Sequence, residues 1–121
     1  MNDRELFLKA ADVVRGRGFN QGYYWGPDPS GSTANWSRCP VCIAGALSVA
    51  ITGDPVPPIL WTDSTRGTYN AVASRLADLI GIENDQILEP VGRLGAWNDA
   101  PERTADEVIA ALESAAERVT S

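Results

Sequence analysis

Eleven consecutive residues, Val41 to Ile51, carry no charge and a single hydroxyl, Ser48. A helix that is apolar on every face has no stripe to offer water and must be buried. Ala44, Gly45, Ala46, Ser48 and Ala50 are small, so neighbouring backbones can come close. A buried strand is the competing reading, but the length and the alanines favour a helix. Pro40 suits its first turn, where a missing N–H costs nothing. A central helix over about 40–52 is therefore expected. The run is too short to cross a bilayer.

Other segments carry the pattern of helices that could pack around it. Residues 3–15 place Leu6, Ala10 and Val13 on one stripe, with Asn2 as N-cap and Glu5 three residues on. Gly16 and Gly18 mark its end. Residues 66–80 repeat the spacing through Tyr69, Val72, Ala73, Leu76 and Leu79, with Gly81 as the stop. A shorter helix is expected over 84–94, interrupted at Pro90. Thr104-Ala-Asp-Glu107 reads as a capping box opening a last helix through Val108, Leu112, Ala115 and Val119. The expected fold is mainly α: a single domain over 1–121, with four or five helices around helix 40–52. A small β-hairpin is expected near 19–38, where Gly-Pro-Asp-Pro-Ser-Gly supplies turn chemistry.

Composition excludes several chemistries. The chain has no histidine, which removes imidazole-based nucleophile activation, imidazole metal sites and a switch near neutral pH. Net charge is −6, with the ten bases scattered, so direct nucleic-acid binding is disfavoured. The acids are uneven: residues 61–121 hold eleven acids and five bases, residues 1–60 five of each. An acidic face that meets a basic partner or mimics nucleic acid is one reading; a solvated helix surface is the plainer one. No acidic set has calcium or magnesium spacing, so neither a metal nor a cofactor is expected. The charged N-terminus Met-Asn-Asp-Arg-Glu shows no secretory pattern, which points to the cytoplasm and no membrane.

Three groups could carry function. Cys39-Pro-Val-Cys42 opens the central helix, where amide donors and the helix dipole would lower the Cys39 pKa. Against redox use, a Ser/Thr/Asn loop precedes the pair where a thioredoxin-type site needs a strand. Against zinc, two ligands cannot close a tetrahedron. The plain alternative has Cys42 packed in the core and Cys39 capping the helix. Second, Trp97-Asn98-Asp99 could bind a small polar ligand, or tie down loop backbone before the last helix. Third, residues 19–38 hold five of the nine aromatics, including Tyr23, Tyr24, Trp25 and Trp36, among Ser, Gly and Asn. Such composition suits a binding loop, supplying rigid aromatic area and adaptable polar groups.

Four motifs in order resemble a family of small uncharacterised proteins from actinobacteria and their phages. They are Phe19-Asn-Gln21-Gly22, Cys42-Ile-Ala-Gly45-Ala46-Leu47, Trp97-Asn98-Asp99 and Arg103-Thr104-Ala-Asp-Glu107-Val108. The sequence departs from the family in Phe19, where tryptophan is expected, and in the length of the 23–38 loop. The resemblance implies a bacterial cytosol, the host's if the gene is phage-borne, and gives no catalytic residue to carry over. The shared motifs suggest that Gln21, Asn98 and Asp99 meet at the N-terminal end of the central helix. The expected function is a non-enzymatic interaction protein that binds a host protein through the aromatic loop. Thiol redox activity at Cys39 and Cys42, or an acidic nucleic-acid mimic, is the alternative.

Overall fold

The computed structural model describes residues 2–32, 38–55, 62–82 and 89–119. Among these residues five helices run in the order α1 (Asp3–Arg17), α2 (Ile43–Thr52), α3 (Asp63–Leu79), α4 (Pro90–Asn98) and α5 (Ala105–Arg118). Helix α1 starts where the Asn2 carboxamide accepts the Glu5 amide at 2.9 Å, and it buries Leu6, Phe7, Ala10, Ala11 and Val14. At the start of α5 the Thr104 hydroxyl accepts the Glu107 amide at 3.2 Å. The Glu107 carboxylate turns to that hydroxyl and to Arg103, rather than back to the Thr104 amide as a reciprocal box requires.

Helix α2 has every residue from Ile43 to Ala50 buried, against α1, α3 and α4. Helix α5 packs mainly on α1, and less on α3, instead of joining the sheath around α2. Tyr69, Leu76, Leu94, Val108 and Leu112 complete a core shared by all five helices. Pro90 starts α4 and does not interrupt it, as its lack of an N–H allows at the first position. The expected start of that helix, at 84–88, lies outside the described residues.

The expected hairpin near 19–38 is corrected. Among the described residues there is no strand, only two isolated bridges, and both involve Val41: Phe19 pairs with it in parallel and Trp25 antiparallel. The loop spends its hydrogen-bonding groups on the lead into α2. The Asn20 amide donates to the Val41 carbonyl at 3.0 Å and the Val41 amide to the Gly18 carbonyl at 3.1 Å. The Gly26 amide donates to Pro40 at 2.9 Å, and the Cys42 amide to Tyr24 at 3.2 Å. Residues 18–26 thus clasp residues 40–42 from two sides, leaving no partner for a ladder. Beyond the clasp, Asp28 folds the chain by accepting the amides of Ser30 at 2.8 Å and Ser32 at 3.1 Å, a turn in place of a strand.

Candidate functional site: the capped start of α2 and its cleft

The first amides of a helix have no partner within it and must be satisfied from outside. In α2, whose start is buried, two unlike groups do this. The Cys42 sulfur is the N-cap and accepts the Gly45 amide at 3.3 Å. Asn98, fully buried at the end of α4, accepts the Ile43 amide at 2.8 Å. The Asn98 amide nitrogen donates to the Asn20 carbonyl at 3.0 Å and to Asp99 Oδ1 at 3.1 Å. Gln21 Nε2 closes the ring, donating to the carbonyls of Asn98 at 3.0 Å and Ala100 at 2.9 Å. Asp99 Oδ1 also accepts the Gly22 amide at 2.9 Å. Gly22 has φ +91°, a conformation that costs a residue with a side chain far more than glycine.

Gln21, Asn98 and Asp99 are therefore brought together at the N-terminal end of α2, one knot joining the loop after α1, the start of α2 and the end of α4. Trp97 and Asn98 belong to the last turn of α4, with Asp99 as its C-cap, rather than to a loop. Trp97 stays partly buried on the core, with the Arg103 guanidinium carbon 3.9 Å from its ring centroid.

Two close approaches shape the site. Gly45 lies against the Tyr24 carbonyl: a Cβ there would stand 3.0 Å from the carbonyl carbon and closer still to its oxygen. Tyr69, fully buried on α3, donates its hydroxyl to the Ala44 carbonyl at 2.8 Å. Sequence reasoning did not single out Tyr69 for this role. For Gly45 the available signal was a helix-disfavouring residue inside an apolar helix.

Beside the knot opens a cleft of about 200 Å³. The loop contributes Gly22, Tyr23 and Tyr24; α2 contributes Cys42 and Ala44; α4 contributes Val91, Gly92, Gly95 and the capping Asp99. Among the described residues no lysine or arginine lines it. Tyr23 is 52% exposed, one of two large apolar side chains left exposed among the described residues, the other being Leu8. Its ring packs edge-on against Tyr24, centroids 5.4 Å apart, and tilted against Trp25 at 5.0 Å. Trp25 in turn packs on the core. Trp36 lies outside the described residues.

Cys39 and Cys42 are both buried and both free thiols. The expected roles are exchanged: Cys42 caps the helix, while Cys39 sits ahead of it with its sulfur 3.6 Å from the Ser32 carbonyl. Burial pushes the Cys42 thiol up to about 11, against the lowering pull of the helix amides, and the Asp99 charge adds to the rise. Tyr24 and Tyr69 are raised by burial as well, and nearby Cys42 contributes to both. At neutral pH Cys42 is therefore protonated and a poor nucleophile.

The acids are spread over several elements and many are paired with arginine. Asp12 and Glu113 hold Arg15, Asp3 holds Arg75, Asp78 holds the buried Arg93, and Glu107 holds Arg103. Among the described residues no group of three or more Cys, Asp or Glu could hold a metal ion, and no helix is long and apolar enough to cross a membrane.

Fold and site together define a mainly α protein, with five helices among the described residues, in which Cys42 and Asn98 cap the buried helix and a loop from the N-terminal half is tied to that cap beside a small cleft. The chain belongs to a family of unknown function (DUF6197), whose match spans residues 1–118. No curated protein and no solved structure matches it.

Proposed function

We propose that this protein is a non-enzymatic interaction module that takes one side chain of a protein partner into the cleft beside Tyr23. The exposure of Tyr23 carries the reading. A large aromatic held at the rim of a ready-formed cleft supplies contact area at low entropic cost, the property that enriches tyrosine at binding hot spots. At about 200 Å³ the cleft is smaller than the pockets that enclose a drug-sized ligand or cofactor, and it suits a single side chain. The working setting is a bacterial cytoplasm, with a host protein as partner if the gene is phage-borne.

Thiol redox chemistry draws less support, because Cys42 is buried and its thiol is raised rather than lowered. The nucleic-acid mimic draws less as well, since six of the acids pair with arginine and those six are spread over α1, α3 and α5 rather than gathered on one element.

The test is affinity capture from lysate of the source cells, comparing the wild type with Tyr23→Ala and Gly95→Leu. Tyr23 is the better loop position to change, because Trp25 also packs on the core and its loss would disturb folding. The expected result is a protein retained by the wild type and lost from both variants. Equal retention by all three proteins would show that the cleft is not the binding surface.

A further inference from the structure

Helix interiors disfavour glycine, by roughly 0.5–1 kcal/mol relative to alanine. At Gly45 the Tyr24 carbonyl explains the glycine; at Gly95, as at Gly16 and Gly67, no described neighbour does, and of these three only Gly95 lines the cleft. A Cβ at Gly95 would meet no atom within 4 Å, and its φ is not in the left-handed region. The space above Gly95 is the cleft itself.

Asp99 supplies the second observation. Its Oδ1 is engaged by the Gly22 amide and the Asn98 side chain. Its Oδ2 enters no hydrogen bond among the described residues. The carboxylate is thus held in place through one oxygen, with the other open to solvent on an exposed residue at the lining of a cleft that has two tyrosines and, among the described residues, no basic one.

Taking the interaction reading above as its basis, we infer that the cleft receives a cationic side chain, arginine before lysine, from the partner. A guanidinium can stack on an aromatic ring while donating to a carboxylate, which an ammonium does less well. The net charge of −6 adds long-range attraction for a basic segment. An anionic group would meet the Asp99 charge with no base to offset it. A neutral apolar group would leave Oδ2 desolvated and unpaired. Gly95 keeps clear the volume that the incoming side chain needs.

The experiment is an NMR titration of the full chain, following the backbone amides of Gly22, Gly95 and Asp99. The probes are N-acetyl-arginine amide, its neutral isostere N-acetyl-citrulline amide, and N-acetyl-glutamate amide, each at millimolar concentration. The arginine probe should shift these amides, and the other two should bind about tenfold more weakly or not at all. Asp99→Asn retains an oxygen acceptor for Gly22 and should lose the preference for arginine. Gly95→Leu, reaching into open space, should abolish the Gly22 shift while leaving a folded spectrum. Citrulline binding as well as arginine, or undiminished arginine binding by Asp99→Asn, overturns the cationic assignment and leaves the cleft reading standing. No shift with any probe, together with equal capture by Tyr23→Ala, overturns both.

Discussion

The Asn98 carboxamide oxygen lies 2.8 Å from the Ile43 amide, so α2 is capped by a side chain 55 positions further along the chain. The same carboxamide holds the Asn20 carbonyl with its nitrogen. One fully buried side chain thereby satisfies a helix start and a loop that would otherwise strand polar groups away from water.

Asn98→Ala should destabilise the protein by about 2–4 kcal/mol, because it leaves both the Ile43 amide and the Asn20 carbonyl without this partner. Urea unfolding measures this as a lower midpoint with a similar slope. A change under 1 kcal/mol by that measurement would mean that water or backbone movement replaces both bonds.

Gly45→Ala and Gly95→Ala should act in opposite directions, although both put a better helix former inside a helix. At position 45 the new methyl collides with the Tyr24 carbonyl, the acceptor of the Cys42 amide, and overpacking of this kind costs about 1–3 kcal/mol. At position 95 the methyl enters open space, and stability should rise by up to about 1 kcal/mol. Thermal melts of the two variants would separate on either side of the wild type. If Gly45→Ala stabilises, the loop does not lie against α2 as described.

The raised Cys42 thiol gives an alkaline signature. Burial favours its neutral form in the folded state, so between the unfolded thiol's pKa of about 8.5 and the folded value of about 11 the unfolded chain binds fewer protons. This contribution, about 3 kcal/mol, is fully present below that window and is lost as pH rises through it. Tyr69 and Tyr24, raised by burial too, act in the same direction at higher pH. Stability followed by urea from neutral to alkaline pH should fall more steeply for the wild type than for Cys42→Ser.

Alkylation supplies an independent check on the thiols. In Cys39→Ala the remaining Cys42 should react with iodoacetamide far more slowly at neutral pH than a free cysteine does, and at the free rate once urea unfolds the chain. Fast reaction in the folded state would revive the redox reading.

Tyr69→Phe removes the hydroxyl that holds the Ala44 carbonyl at 2.8 Å while keeping the buried ring. The expected cost is about 1 kcal/mol, from one buried hydrogen bond with little change in packing. A neutral result would mean that the Ala44 carbonyl is satisfied within its helix alone.

Much of the helical plan can be read from the residues. Asn2 with Glu5 and Thr104 with Glu107 mark their helix starts because a cap acts over three residues, a range that local sequence contains. The uncharged run from Val41 to Ile51 requires burial wherever it packs, and the spacing of Val72, Leu76 and Leu79 shows which face of α3 turns inward. The shared Gln21 and Trp97-Asn98-Asp99 motifs also pointed to a knot at the start of α2.

Tertiary structure alone decided what those elements meet. Turn residues between aromatics suit a hairpin, but the 18–26 loop pairs with residues 40–42, a choice that depends on where α1 delivers the chain. The cap fell to Cys42 and not Cys39 because the clasp holds the chain extended up to Cys42. Gly45 and Gly95 look alike in sequence; one faces a carbonyl and the other an empty cleft. Local patterns report propensity and periodicity over a few residues, whereas close approach, capping across 55 positions and a shared cleft exist only once distant segments are packed together.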